Sequence, residues 1–147
     1  MLFRSPDMRQ RVSGALVDAL VDLHAIDVTS GGLQTLGKPA GFVERQVRGW
    51  TERWQKSKIA ELPDMESLAG WLLRNLPADP KRPSVVHGDF KLDNVMLETA
   101  DFSRLVALFD WEMCALGDPL VDVGILLAYW TRSERSEERR VGKECRL

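Results

Sequence analysis

The sequence predicts an α+β domain that is mainly helical. Three observations carry this reading. Before residue 77, three segments place apolar residues at helical spacing. "PADPKRP" (77–83) breaks that pattern, and the runs after it, "SVVH", "VMLE" and "RLVALFD", are short, apolar and partly β-branched, as buried strands are. "GDPLVDVGILLAYW" then returns to helix. Helices, a small strand cluster and a closing helix are segregated along the chain, the order of an α+β domain rather than of alternating βαβ units.

The first helix is expected in "SPDMRQRVSGALVDALVDLHAID", with Ser5 as N-cap, Pro6 at the first helical position and Asp7 in the first turn. Met8, Val12, Leu16, Leu20 and Leu23 share one face. "VTSGGLQTLGKPAG" (28–41) is a loop by its Gly, Ser and Pro content. A second amphipathic helix is expected over "FVERQVRGWTERWQKSKIAEL", its stripe formed by Phe42, Gln46, Val47, Trp50 and Trp54. Two tryptophans one turn apart read as packing against another helix before they read as a ligand cage. Asp64 is the expected cap of a third helix that buries Leu68, Trp71, Leu72 and Leu76. For the last helix, Asp118 is the expected N-cap and Pro119 the first helical residue. No internal repeat is found.

The chain has 147 residues, enough for one domain with one core, and 44 % hydrophobic with 29 % charged residues is the profile of a soluble globular protein. A net charge of -2 leaves no broad basic surface for nucleic acid. No run approaches the roughly 18 apolar residues of a membrane span, and "MLFRSPDMRQ" lacks a signal-peptide core. No membrane partner and a cytoplasmic location are therefore expected. Two cysteines, Cys114 and Cys145, make no disulfide framework, and with two histidines they make an unpromising zinc set.

The composition changes abruptly at 132–147, "RSERSEERRVGKECRL". Such charged runs are usually solvated tails. Within this one, "RSEERRVGKEC" (135–145) resembles the in-frame translation of a short-read sequencing adapter. Residues 1–131 are therefore read as the partial domain, and 132–147 as an artefactual, disordered tail to be set aside like a fusion scar. Without it the chain carries 14 basic and 18 acidic side chains. A missing native C-terminal portion is expected beyond Trp130.

The chemistry gathers in the strand cluster. If "VMLE" and "RLVALF" form an antiparallel hairpin centred on Phe102, Val95 faces Phe109, Met96 faces Leu108, and Asn94 faces Asp110. Opposed residues in such a ladder lie about 4.5 to 5.5 Å apart. An amide oxygen and a carboxylate then meet at one end of an apolar hairpin, and Asp89, in the loop before it, can reach the same end. Hard oxygen ligands in small number, with phosphate completing the shell, are what Mg²⁺ takes. One oxygen group to meet a hydroxyl and two to hold a metal are parts that phosphoryl transfer needs, since its catalysis is mostly positioning and charge neutralisation.

"HGDFKLDN" (87–94), "FDWE" and "GDPLVD", in that order, resemble the aminoglycoside phosphotransferase and choline-kinase-like family, which shares the protein-kinase-like fold. The first motif also looks like the kinase pattern H-R-D-x-x-x-x-N, with Gly88 in the Arg position. The resemblance implies Asp89 as the base that orients the acceptor hydroxyl, Lys91 as the lysine that neutralises the transferred phosphate, and Asn94 and Asp110 as Mg²⁺ ligands. It implies ATP as co-substrate and a small-molecule hydroxyl as acceptor. His87 would hold the loop by hydrogen bonds, and Asp118 would brace it as well as cap its helix. The segment from "GFVERQVRGW" through "ELP" further resembles the subgroup found fused to, or encoded beside, acyl-CoA dehydrogenases and associated with hydroxylated acyl substrates.

On this resemblance the chain is the C-terminal lobe of a protein-kinase-like fold, with a small β-hairpin carrying the catalytic loop. The N-terminal lobe is absent: no Gly-rich phosphate loop and no strand lysine paired to a helix glutamate are found. The fragment alone is then expected to be inactive. An alternative from another class is a pseudokinase-like module that binds without catalysis. A metallophosphatase would need more histidines converging on two metals than His24 and His87 supply. Asp93 and Glu112 read as loop polar groups, and Cys114 as a small core residue.

Overall fold

A computed structural model describes residues 5–129. The 132–147 tail, with Cys145, lies outside the described residues. Helix α1 spans Pro6–His24. Ser5 precedes it in extended conformation without a side-chain cap, Pro6 sets its first turn, and Asp7 lies at the positive end of its dipole. Val12, Ala15, Leu16, Leu20 and Leu23 are its buried face.

Helix α2 spans Phe42–Ser57 and α3 Pro63–Arg74. The expected single helix through residue 62 stops earlier because Lys58 turns extended, where its ammonium pairs with Glu61 and Glu66. Asp64 is not the cap of α3. Leu62 holds that position in extended conformation and Pro63 starts the helix, leaving Asp64 in the first turn. No residue of α3 is fully buried. Leu68 faces Trp50 and Trp54 of α2 across an open apolar cleft of about 290 Å³, floored by Val121. The tryptophans thus pack toward another helix, as their spacing predicts, but Trp50 remains 54 % exposed.

The strand cluster is two separate two-stranded antiparallel sheets. Strand β1 (Ser84–Val86) pairs with β4 (Ala115–Gly117), which sequence reading did not find. Strands β2 (Val95–Leu97) and β3 (Leu105–Leu108) form the expected hairpin with a different register. Val95 pairs with Leu108 and Met96 with Ala107, not with Phe109 and Leu108. Two local features set this. Asp101 accepts from both the backbone N–H and the hydroxyl of Ser103, tightening the turn, and a bulge follows between Met96 and Leu97. Helix α4 spans Leu120–Tyr129.

Two apolar clusters hold these pieces. Val12, Leu16 and Leu20 of α1 join Phe90 and Leu126 of α4. Leu23, Val85 and Leu116 form the second, between α1 and the β1·β4 sheet. Leu108 packs against both. Phe42, at the start of α2, lies on Gly117, where a Cβ would collide with its ring. That contact seats α2 on the β1·β4 sheet. No described helix is long and apolar enough to cross a membrane.

Candidate active site

Strand β1 is buried along its length and delivers the chain to His87, itself buried. The His87 Nε2 lies 2.8 Å from the Phe109 carbonyl, and its Nδ1 accepts from the Asp89 backbone N–H at 3.2 Å. A single neutral tautomer, with hydrogen on Nε2, satisfies both contacts. The ring tilts against Trp111 at 4.8 Å and meets Phe90 edge-on. Gly88 follows with φ +83°, and a Cβ there would sit 2.8 Å from both the Cβ and the carbonyl oxygen of Met113. Only glycine fits this turn.

The turn is clamped by Asp122 on α4. This fully buried carboxylate accepts from the backbone N–H of His87 at 2.9 Å and of Gly88 at 2.8 Å. Its third partner is Nε2 of His24 in the last turn of α1, at 3.0 Å. A buried charge is tolerated when its lone pairs are met in this way. Sequence reading missed Asp122 and gave the bracing to Asp118. Asp118 caps α4, accepting from the Leu120 N–H at 2.9 Å, and the bonds to the loop come from Asp122. An acid inside the apolar run "LVDVGILLAY" was the available signal.

Asp89 sits at the centre. Its Oδ2 accepts from Lys91 Nζ at 2.6 Å and from Asn94 Nδ2 at 3.0 Å, and the same Nδ2 donates to the Asp89 carbonyl at 2.9 Å. Burial pushes the Asp89 carboxyl up, but the hydrogen bonds from Lys91 and Asn94 outweigh it and hold the group below the ordinary carboxylate value. The Asp89 hydrogen bond raises Lys91 above the ordinary lysine value against burial, with the charges of Asp89, Tyr129 and Asp110 adding to the shift.

Asn94 is buried at the foot of β2, and its carbonyl accepts from the Phe109 N–H at 2.8 Å. Asp110 follows Phe109 at the exposed end of β3, so the structure brings Asn94 beside Phe109 rather than directly opposite Asp110. Asp110 has φ 65° and ψ 59°, the one left-handed non-glycine among the described residues. Aspartate tolerates this region better than most residues, and an outlier of this kind at the mouth of a site points to a functional constraint.

Asn94 commits its amide N–H₂ to Asp89, leaving the amide oxygen as its remaining acceptor. Among the described residues no donor is hydrogen-bonded to the Asp110 carboxylate. Both are hard oxygens of the type that Mg²⁺ takes when phosphate and water supply its remaining ligands. Among the described residues no group of three or more His, Cys, Asp or Glu gathers to hold a metal without such help. Asp93 and Glu112 are exposed. Cys114 is half-buried, and burial, followed by the charge of Asp122, pushes its thiol up.

Comparison with known proteins gives this geometry a context. Residues 3–144 match the phosphotransferase enzyme family. The chain is 39 % identical to acyl-CoA dehydrogenase family member 11 of Rattus norvegicus over 131 residues, which is 88 % of this chain and 17 % of that protein. It is 35 % identical to acyl-CoA dehydrogenase family member 10 of Mus musculus over 87 % of this chain and 12 % of that one. Among solved structures, a Ralstonia eutropha protein described as an aminoglycoside phosphotransferase superposes with a TM-score of 0.80 at 32 % identity, covering 90 % of this chain and 40 % of that one. Macrolide 2′-phosphotransferase type I, at 18 % identity and a TM-score of 0.63 over 79 % of this chain and 38 % of that one, shares the fold.

Proposed function

This chain belongs to the phosphotransferase enzyme family, and from that premise we propose that it carries the catalytic half of a small-molecule kinase. In this reading the intact protein moves the γ-phosphate of ATP to a hydroxyl of a small molecule. The described residues form the C-terminal lobe. The observation that carries the reading is the Asp89 carboxylate. One of its oxygens is fixed by Lys91 and Asn94 and the other takes no hydrogen bond within this network.

Each residue then has a role. The second oxygen of Asp89 accepts the hydrogen bond of the incoming hydroxyl and aims its oxygen at phosphorus. A carboxylate held below its ordinary value is a weak base, so it orients the hydroxyl early and receives the proton late in the transfer. Lys91 lies within reach of the same space and offsets negative charge on the transferred group. Asn94 and Asp110 supply the oxygens that would hold Mg²⁺, which when bound neutralises the phosphate oxygens. His87 and Asp122 keep the loop in shape.

The chain spans 17 % of the first of the curated relatives it matches. Those relatives are named as acyl-CoA dehydrogenases, which supports a fused or neighbouring dehydrogenase as partner and a hydroxylated acyl compound as acceptor class. The test is Asp89→Asn in the full-length protein. It should lower ATP-dependent phosphorylation of a hydroxyl acceptor by about a hundredfold or more, with the fold retained by circular dichroism. Unchanged turnover would sink the assignment.

A further inference from the structure

One face of α4 runs along the catalytic loop in register. Asp122 holds the backbone of His87 and Gly88. Leu126, one turn on, shares a core cluster with Phe90. Tyr129, close to a turn further, presents its ring to Lys91, with Nζ 5.5 Å from the ring centroid. Residues spaced i, i+4 and i+7 fall on one side of a helix, so the loop is read in order from His87 to Lys91 by three α4 side chains. The first two contacts are buried. The third is at the rim, where Tyr129 is 61 % exposed.

We propose that Tyr129 is a positioning residue for phosphoryl transfer, its ring face setting where the Lys91 ammonium rests beside Asp89. This rests on the kinase reading above. A lysine has four rotatable bonds and a strongly hydrated head, so a single, partly buried salt bridge leaves it more than one pose. The aromatic face gives the ammonium a second anchor through the ring quadrupole. Lys91 is then held between a carboxylate that fixes its height over the loop and a ring that limits its sweep. Its charge is presented in one place when the phosphate arrives, with less ordering left to do in the transition state. The contact is weaker than the Asp89 bond, so the lysine can leave the ring and follow the transferred group.

The test compares Tyr129→Phe with Tyr129→Leu in the full-length protein. Phe keeps the π face and should retain turnover. Leu keeps apolar bulk without it and should lower kcat by about two- to fivefold, the size of an exposed cation–π contact, with little change in KM for ATP. In a Lys91→Met background, Tyr129→Leu should have no further effect. A loss that persists there, or equal loss in Phe and Leu, would show that the tyrosine acts through packing and would overturn the inference. An independent reading comes from NMR: the Lys91 ε-methylene protons should carry a ring-current shift that Tyr129→Leu removes, and its absence in the parent protein would also overturn it. If Asp89→Asn leaves turnover intact, the kinase reading itself has failed. If Asp89→Asn is inactive while Tyr129→Leu equals the parent, only the role of Tyr129 has.

Discussion

Asp89 and Lys91 share a proton economy that makes the site's acid behaviour predictable. The folded Asp89 is depressed below its ordinary value of 3.8. Its contribution to stability is therefore present above that value and is lost as pH falls through the lower folded one. In the proposed mechanism Asp89 is ionised when it accepts the hydroxyl, so the acid limb of kcat/KM for the full-length protein is expected below the usual carboxylate range. Removing the Lys91 hydrogen bond with Lys91→Met should move that limb upward, because burial then acts against one fewer hydrogen bond. A pH–rate profile that stays in place would show that another group controls it. Motif order made the gathering of Asp89, Lys91 and Asn94 legible in the sequence, because short polar runs beside apolar strands survive without knowledge of tertiary structure. Asp122 was not legible as a clamp. Its partners are backbone N–H groups at His87 and Gly88, so an acid within an apolar helical run signals burial but not which backbone donors it will meet. Asp122→Ala, which strands three donors in a buried place, is expected to cost about 3 kcal/mol of stability, read as a shifted denaturant midpoint.

At the scale of elements, the presence of each helix was legible, the end of α2 and the cap and buried face of α3 were not, and the sheets were less legible still. The stripe Val12, Leu16, Leu20, Leu23 repeats over several turns of α1, and tertiary packing only had to agree with it. Strand β4 is three residues of small and aliphatic character, too short to show a period, and it exists because β1 needs a partner. The hairpin register turned on the turn at Asp101 and the bulge beyond it, which hydrophobic alternation cannot foretell. Two glycines mark where elements touch most closely. Gly117→Ala should unseat Phe42 and lower stability by about 1–3 kcal/mol, the cost of overpacking. Gly88→Ala meets both a positive φ and Met113, so it should reduce activity as well as stability. Comparing the melting temperature of each variant with its residual turnover separates the two: at matched stability, only Gly88→Ala should be catalytically impaired.

For the whole molecule, the described surface carries apolar groups beside the site. Met96, Val106, Phe109 and Trp111 are each about half exposed on or just after the β2–β3 hairpin, and Leu127 lies further along α4. Large apolar side chains left half exposed in this number on one hairpin are the kind of surface that a further part of a protein covers. The chain covers 40 % of the Ralstonia eutropha protein it superposes on, and in the proposed reading the nucleotide-gripping lobe is among the parts outside it. The 147-residue chain alone is accordingly expected to bind a hydrophobic dye and to show no binding of MgATP in the micromolar range. Micromolar binding together with a cooperative melt would refute this. The family was legible from the motifs, whereas the acceptor was not, because specificity belongs to side chains that no motif fixes.

Leu108 touches both apolar clusters, and that has a kinetic meaning. The β2–β3 hairpin joins residues near in sequence, Val95 with Leu108, whereas β1 and β4 join Ser84 with Gly117 across the whole loop and hairpin. Closing the shorter loop first leaves less chain entropy to lose in closing the longer one. The hairpin would then present Leu108 as a preformed nucleus on which Leu23, Val85 and Leu116 condense. In native-state hydrogen exchange the β1·β4 amides should open no later than those of the hairpin, and Leu108→Ala should slow folding more than it speeds unfolding.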